Sequence, residues 1–221
     1  MSFNIAIDGP AGAGKSTIAR LAAKKLSFIY VDTGAMYRAI ALGLLRRHTD
    51  IENEEELQSA LDTIEVGIRY EEGEQLVYLN GEDVSPLIRT EQVSDMTSRS
   101  SAKPRVRAKL TRLQRDLAAR ENVLMDGRDI GTEILPGADL KIYLTASVET
   151  RARRRYLEQT EKGAACTLEE ITEDIRERDY RDMHRETAPL RQAEDAILID
   201  SSDMGIEDVV SEIIKLARAR M

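Results

Sequence analysis

The chain has 221 residues, a net charge of −8, a single cysteine and only 4% aromatic residues. Its length suits one domain with an insertion or two. The acidic balance and the scarcity of aromatic residues argue against a general nucleic-acid binder. The lone Cys166 excludes an internal disulfide framework, and no apolar run reaches the about 18 residues of a membrane helix. With no signal-peptide pattern at residues 1–8, we expect a cytoplasmic protein with neither nucleic-acid nor membrane partners.

Five short apolar runs predict strands, and helical patterns lie between them. The runs are rich in Val, Ile and Leu without strict alternation, as expected of strands buried on both faces of a parallel sheet. The predicted strands are 4–7, 28–31, 123–125, 140–144 and 196–199, and the predicted helices are 16–26, 36–47, 105–120, 148–161 and 206–218. This alternation predicts an α/β fold, with a five-stranded parallel sheet and flanking helices.

Two segments interrupt the alternation of strands and helices. Residues 64–84 predict a small β meander, with one turn at 71–73 and a hairpin turn at the Asn80-Gly81 pair. Residues 151–167 hold four arginines in their first five positions and then the pair Lys162-Gly163. This second segment indicates a basic, mobile excursion from the core.

Residues 9–16 match the phosphate-loop pattern G-x-x-x-x-G-K-[ST] in full. Such a loop turns its backbone N–H groups toward phosphates, and the helix that follows presents its N-terminus to them. Lys15 would reach the β and γ oxygens of ATP, and the Ser16 hydroxyl would bind Mg²⁺. A plain glycine-rich turn is the alternative, but a strand precedes the loop and a helix follows it. The predicted ATP contacts here are Gly9, Pro10, Ala11, Gly12, Ala13, Gly14, Lys15, Ser16 and Thr17, with Ser16 as the metal ligand.

The loop alone does not name the reaction. A GTPase would need a guanine-reading motif such as Asn-Lys-x-Asp, which the chain lacks, and Asp126 is at best a weak version of the acidic strand end of a motor ATPase. An insertion and a basic excursion favour a kinase that closes over two phosphate-bearing substrates. A nucleotide-dependent switch, which would bind or hydrolyse ATP without an acceptor, is the alternative from another class.

Two loop segments carry charges that would suit an anion. In residues 32–38, a hydroxyl, a glycine turn and Arg38 could hold a phosphate, or Asp32 or Thr33 could simply cap a helix. In residues 126–129, Asp-Gly-Arg-Asp, the charges are costly to bury unless they are paired or bind a ligand. The alternative for this segment is a local ion-pair turn.

A third segment, residues 176–185, continues a helical pattern. Arg178, Arg181, Asp182 and Arg185 are spaced by three or four residues and would share one face. Three arginines and an aspartate there could bind phosphates and ribose hydroxyls. A solvated face of salt bridges is the alternative.

Taken together, these segments resemble bacterial cytidylate kinases nearly from end to end. The resemblance lies in residues 7–17, 32–38, 80–84, 104–107, 126–132 and 177–185. It implies transfer of the γ-phosphoryl group of ATP to CMP or dCMP with Mg²⁺, with UMP as an alternative acceptor. It also implies a nucleoside-monophosphate-binding insertion at about 61–106, a lid at about 154–167 and a monomeric enzyme.

The resemblance also implies a role for individual residues. Lys15, Arg128 and Arg185 would be catalytic, and Arg153 and Arg154 would fold over ATP. The CMP phosphate would fall to Arg38, Arg128 and Arg185, with Thr33 nearby, at a position where serine is also common in the family. The cytosine edge would fall to Ser98, Arg107 and Asp129, and the ribose hydroxyls to Arg178 and Asp182. No general base is expected.

Overall fold

The structure is a computed structural model that describes residues 2–71, 74–161 and 163–221. It divides into two compact units. The core unit comprises Met1–Ile29 and Glu121–Met221, and the inserted unit comprises Tyr30–Arg120. Glu72 and Gly73 of the predicted 71–73 turn, and Lys162 of the predicted excursion, lie outside the described residues.

The helices and strands follow the predicted alternation closely. In chain order they are β1 (Asn4–Asp8), α1 (Lys15–Leu26), β2 (Ile29–Asp32), α2 (Thr33–Arg46), α3 (Glu54–Thr63), β3 (Val66–Glu71), β4 (Glu74–Leu79), β5 (Glu82–Asp83), α4 (Glu91–Ser100), α5 (Pro104–Arg120), β6 (Val123–Gly127), a π-helical turn (Ile130–Ile134), β7 (Leu140–Thr145), α6 (Val148–Glu161), α7 (Leu168–His184), β8 (Ile197–Asp200) and α8 (Ile206–Arg218). Within the described ranges, no helix has both the length and the apolar character of a membrane span.

The main sheet has five strands in the order β2–β6–β1–β7–β8, and its central strand is β1. β1 runs parallel to both neighbours, so that Ile5 lies opposite Leu124 on β6 and Leu140 on β7. Ile5, Ala6 and Ile7 have no solvent exposure, as the unbroken apolar pattern predicted. The predicted α/β fold is therefore confirmed. The carboxyl ends of its parallel strands share one edge, which is where ligands bind in such sheets.

The inserted unit is built around α2, whose Met36, Ile40 and Leu44 are fully buried. A three-stranded antiparallel sheet in the order β3–β4–β5 belongs to the same unit. The turn between β4 and β5 is the Asn80-Gly81 pair, with φ angles of 50° and 85°. Two consecutive positive φ angles are what a tight hairpin turn needs, so the small β-containing insertion is confirmed.

Two helices of the inserted unit, α3 and α4, were not predicted from the sequence. The start of α3 does carry a signal, because the side chain of Asn53 caps it by accepting hydrogen bonds from the backbone N–H groups of Glu55 and Glu56. Thr90 caps α4 in the same way, accepting from Val93 N–H at 3.3 Å. Both helices are short, at 10 residues each. They therefore give only a weak periodic pattern.

Candidate active site

The phosphate loop (residues 9–16) lies between β1 and α1 in the core unit, in the context that the motif requires. Gly9 has a φ of 150°, and a Cβ atom at this position would lie 1.9 Å from the carbonyl oxygen of Leu144. No side chain fits there without moving the backbone of β7. Gly14, with a φ of 82°, supplies the left-handed conformation from which α1 begins at Lys15. The loop is thus held closely against the sheet edge.

Lys15 is buried, with 6% exposure, and its Nζ donates a hydrogen bond of 2.7 Å to the carbonyl oxygen of Pro10. Burial lowers the pKa of the Lys15 ammonium well below its usual value, and the positive charge of Arg128 acts in the same direction. The carboxylates of Asp126 and Asp182 oppose this shift. A buried cation next to another cation is a favourable place for a polyanion, because an incoming phosphate would stabilise both charges.

Two oxygen donors meet where α1 begins. The Ser16 hydroxyl donates to Oδ2 of Asp126, at the end of β6, over 2.9 Å. Hydroxyl and carboxylate oxygens are ligands that Mg²⁺ accepts, usually one or two of them together with phosphates and waters. Across the described ranges there is no group of three or more acidic, histidine or cysteine side chains that could hold a metal by itself. The donor set therefore fits a Mg²⁺ ion that binds together with a nucleotide.

Residues 126–129, named here the arginine turn, begin in the last two positions of β6, and Arg128 and Asp129 pair with residues at the C-terminal end of α7. Nε of Arg128 donates to Oδ2 of Asp182 over 2.8 Å, and Nη2 of Arg185 lies 3.4 Å from Oδ1 of Asp129. These partners are 54 and 56 residues apart in the chain, so the charges of the turn are paired with a distant segment. The two crossed pairs fix the turn against the helix.

The electrostatics of the first pair favour the charged forms. Burial acts to raise the pKa of Asp182, but the Arg128 charge and hydrogen bond outweigh it and hold that pKa below its usual value. Burial would likewise lower the pKa of Arg128, yet Asp182 raises it overall. The core unit therefore keeps a charged guanidinium at the end of β6.

Fewer charged residues than predicted lie on the half-buried face of α7. Arg178 and Asp182 are half-buried, but Arg181 is exposed. The prediction that Arg181 shares the functional face is therefore wrong. The helix turns its 175, 179 and 182 positions inward, because Ile175 and Asp179 pack into the core unit. Arg181 therefore lies on the exposed side of α7, as does Tyr180.

The first arginine of α6, Arg151, is buried and has three partners in the core unit. Arg151 is 4% exposed and donates from Nε to the Ala146 carbonyl and from Nη1 to the Ala11 carbonyl, both at 2.9 Å. Its Nη1 also lies 2.7 Å from Oδ2 of Asp179. The expected excursion is thus wrong for Arg151, which ties the phosphate loop to α7.

The next two arginines of α6, both predicted to contact ATP, differ from each other. Arg153 is exposed. Arg154 is half-buried, and its Nη2 donates to the Ser201 carbonyl oxygen over 2.6 Å. Its Nη1 reaches the Ser201 hydroxyl at 3.3 Å. In this structure Arg154 is therefore held to the segment that follows β8.

Sequence reasoning missed Asp8 as a functional candidate, along with Arg151 and Asp179. Asp8 is 5% exposed, and its carboxylate accepts hydrogen bonds from the backbone N–H groups of Ile130, at 2.8 Å, and Gly131, at 2.7 Å. Burial raises its pKa to about 6, although the two backbone hydrogen bonds oppose the shift. The available signal was an acidic residue at the last position of a fully buried strand, which needs a partner inside the protein.

In the inserted unit, Asp32 caps α2, as the alternative interpretation of residues 32–38 predicted. Its Oδ1 accepts from Ala35 N–H at 2.8 Å, and its Oδ2 lies 3.2 Å from Nη2 of Arg38. Arg38 is not a plain surface arginine, since its side chain is 20% exposed. Its Nε is buried and has no hydrogen-bond partner among the described residues. Thr33 is 3% exposed in the first turn of the same helix. The unit therefore offers a half-buried guanidinium whose buried Nε has unused donor capacity.

Two of the predicted cytosine-reading residues, Ser98 and Arg107, also belong to the inserted unit. Arg107 is 6% exposed, donates to the Ser101 carbonyl oxygen at 3.3 Å and lies 5.6 Å from the centre of the Tyr37 ring. Ser98 is half-buried on α4. The third, Asp129, is 4% exposed in the arginine turn of the core unit.

Comparison with known proteins gives relatives along nearly the whole chain. A family model described as cytidylate kinase matches residues 5–219. The chain is 52% identical to a cytidylate kinase of Caldicellulosiruptor saccharolyticus over 214 residues, which cover 97% of this chain and 95% of that one. It is 48% identical to a cytidylate kinase of Bacillus cereus over 214 residues, with the same 97% and 95% coverage.

Solved structures support the fold. An uncharacterized protein from Eubacterium ventriosum matches with a TM-score of 0.52 and 14% identity, over 100% of both chains. The protein TT1252 from Thermus thermophilus matches with a TM-score of 0.50 and 18% identity, over 100% of this chain and 98% of that one. At these identities the likeness concerns the fold alone.

Proposed function

Since the chain belongs to the cytidylate kinase family, we propose how its own residues transfer the γ-phosphoryl group of ATP to CMP or dCMP. This reaction makes it a transferase of pyrimidine nucleotide metabolism, and another acceptor such as UMP is not favoured. One observation supports the reaction most directly. The core unit combines a phosphate loop around the buried Lys15 with two arginines, Arg128 and Arg185, that aspartates hold in place.

The donor side of this proposal is the phosphate loop. Its backbone N–H groups and those at the start of α1 bind the phosphates of ATP, and Lys15 follows the migrating γ-phosphoryl group. Ser16 and Asp126 would hold Mg²⁺, which neutralises charge on the β and γ oxygens when it is bound. Arg153 and Arg154 cover ATP when the lid, at about 154–167, closes. For Arg154 this requires the release of its hydrogen bonds to Ser201.

On the acceptor side, Arg128 and Arg185 bind the phosphate of CMP. The bonds of Arg128 to Asp182 and to the Gly127 carbonyl use Nε and Nη1, and they leave Nη2 for a phosphate oxygen. The family resemblance also assigns the phosphate of CMP to Arg38 of the inserted unit (the nucleotide-binding insertion is proposed at about 61–106), whose Nε has no hydrogen-bond partner among the described residues. Thr33, which lies in α2 like Arg38, is placed near the phosphate of CMP.

The nucleoside is recognised by the remaining predicted residues. Cytosine presents an exocyclic amine donor beside ring acceptors, so its recognition needs a carboxylate or hydroxyl together with an arginine. Asp129, Ser98 and Arg107 supply these groups. Arg178 and Asp182, which are both half-buried on α7, bind the ribose hydroxyls.

The chain needs no general base for this transfer. A phosphate monoester has a second pKa of about 6, so the attacking oxygen is already ionised at neutral pH. Positioning and charge stabilisation then supply most of the acceleration. We also propose a monomer that acts in the cytoplasm, where its single cysteine would stay reduced.

A turnover panel tests the proposed function. The purified chain is assayed with ATP and MgCl₂ against CMP, dCMP, UMP, AMP and shikimate, with ATP alone as the control. CMP or dCMP should give the highest kcat/KM, and EDTA should abolish turnover. ATP hydrolysis that does not depend on any acceptor would instead point to a nucleotide-dependent switch. Light scattering during elution from a sizing column tests the monomer.

A further inference from the structure

We propose that Asp8 is a positioning residue, which sets the place of the arginine turn and thereby of the groups that receive the acceptor nucleotide. This inference rests on the proposed function. It concerns a residue to which the proposed function assigns no part in binding phosphate or base. Asp8 is the last residue of the central strand β1, and the phosphate loop begins at the next position. Asp8 therefore borders the phosphate loop, which binds the donor ATP. It also supports the arginine turn, which binds the acceptor nucleotide.

The support is a pair of short hydrogen bonds that use both oxygens of the Asp8 carboxylate. Oδ1 accepts from Ile130 N–H at 2.8 Å, and Oδ2 accepts from Gly131 N–H at 2.7 Å. The segment after the arginine turn is itself stiff, because the Asp129 carbonyl oxygen accepts from the N–H groups of Glu133 and Ile134 at 2.9 and 3.1 Å. Asp8 thus anchors the first two residues of the π-helical turn. This turn begins directly after Arg128 and Asp129.

The space around Gly131 shows how closely the turn fits onto Asp8. A Cβ atom on Gly131 would lie 3.2 Å from Cδ of Lys141 and 3.4 Å from Oδ2 of Asp8. Lys141 is itself 8% exposed and forms an ion pair with Asp195 at 2.9 Å. The turn therefore sits at contact distance on the carboxylate, and a methyl group at position 131 would press on both Asp8 and the Lys141 side chain.

A displacement of the turn would reach the acceptor groups. Arg128 and Asp129 each bond to α7, through Asp182 and Arg185 respectively. Catalytic geometry is sensitive to such shifts, since a misplacement of about 1 Å can lower a rate by about a hundredfold. One buried carboxylate that accepts two charge-assisted hydrogen bonds strongly opposes such a displacement of the turn.

The charged surroundings of Asp8 determine when the carboxylate is ionised. Lys15 on α1 favours the anion, whereas burial and the carboxylate of Asp129 disfavour it and raise its pKa to about 6. Tyr143 on β7 lies opposite Asp8 in the sheet. On β6, Asp126 precedes Gly127, the register partner of Asp8. At neutral pH the carboxylate is ionised and can accept both N–H groups, and at lower pH it loses one of these acceptor sites.

The test compares Asp8→Asn with Asp139→Asn. Asp139 is a matched control, because its carboxylate accepts from Asn4 N–H at 2.7 Å at the opposite end of the same strand. Steady-state kinetics with ATP and CMP are measured for both variants, together with their melting temperatures. Asp8→Asn should raise KM for CMP about tenfold and leave KM for ATP within about twofold, because the backbone that supports Arg128 and Asp129 loses a hydrogen bond to a charged acceptor. Asp139→Asn should leave both values unchanged.

A second variant and a pH series complete the test. Gly131→Ala, which leaves Asp8 itself intact, should also raise KM for CMP more than KM for ATP. The ratio of KM for CMP in Asp8→Asn to that in wild type should fall as the pH drops from 8 to 5.5, because wild type then loses the anion as well. The titration of CMP itself cancels in this ratio.

Three results would overturn the inference. They are equal changes in the two KM values, no change in either, or a ratio that does not depend on pH. If wild type turns over CMP but these effects are absent, the positioning role fails and the proposed function stands. If wild type does not turn over CMP, the proposed function itself fails.

Discussion

The buried ion pair between Arg151 and Asp179 allows a quantitative prediction about stability. Substitution of Asp179 by Asn removes the negative charge 2.7 Å from Nη1 of Arg151. Arg151 is 4% exposed and keeps only its bonds to the Ala146 and Ala11 carbonyls. Removing one partner of a buried pair costs about 3–5 kcal/mol. Because these two carbonyl bonds remain, we expect the lower end of that range, about 3 kcal/mol.

Thermal and urea unfolding followed by circular dichroism would measure this loss. At about 2–4 °C per kcal/mol for a chain of this size, Asp179→Asn should lower Tm by about 6–12 °C. The control is Glu207→Gln, which breaks an ion pair with Lys25 in which the Lys25 and Glu207 side chains are 45% and 69% exposed. Exposed pairs of this kind contribute about 0–1 kcal/mol.

A double variant separates the missing charge from other effects. Arg151→Met combined with Asp179→Leu removes both charges, and it should recover much of the stability that Asp179→Asn loses, since no uncompensated ion remains. If Asp179→Asn were no more harmful than Glu207→Gln, the guanidinium would not depend on this carboxylate, and our reasoning about Arg151 would be wrong.

Three further predictions concern the catalytic groups. Lys15→Ala should lower kcat by at least about a hundredfold with an unchanged circular dichroism spectrum, because a charge at the transferred group is lost; near-normal turnover would rule out its role. Asp182→Asn should raise KM for CMP about tenfold, as expected for the loss of a charged hydrogen bond, whereas Glu212→Gln, in an exposed pair with Lys215, should not. The pKa of Asp8 rises from 3.8 to about 6 on folding, so the folded state binds more protons between these values and loses stability as the pH rises through them. Unfolding measured at pH 4 and pH 7 should therefore show Asp8→Asn gaining about 2 kcal/mol relative to wild type over this interval, and a constant difference would contradict the shift.

Much of the fold could be predicted from the sequence, because its signals are local. The apolar run that became β1 is uninterrupted, the run that became β7 is broken only by Lys141, and the phosphate loop carries its glycines at fixed spacing. The Asn80-Gly81 turn was equally readable, since few residue pairs accept two positive φ angles. The short helices α3 and α4 escaped, because 10 residues with few buried positions give little periodicity.

The partners of the charged residues could not be predicted, since these contacts join distant parts of the chain. Spacing placed Arg181 with Arg178 and Asp182, but packing of α7 exposes Arg181 and buries Asp179 instead. The four arginines of residues 151–155 looked alike in sequence, and only tertiary contacts separate the buried Arg151 from the exposed Arg153. The position of Asp8 at the end of a buried strand signalled a need for partners, but its partners are backbone N–H groups, which no side-chain pattern reveals.

The place of β1 in the sheet has a consequence for synthesis of the chain. Its register partners begin at Val123 on β6 and Leu140 on β7, so its neighbours are translated well over a hundred residues later. At about 5–20 residues per second, the apolar Ile5 to Ile7 stretch waits on the order of 10 s on the ribosome before it can be covered. Nascent chains arrested before residue 120 should therefore bind holdase chaperones through this stretch, and chains arrested with β7 fully outside the exit tunnel should not. Equal chaperone binding by the two sets would show that β1 is protected by some other route.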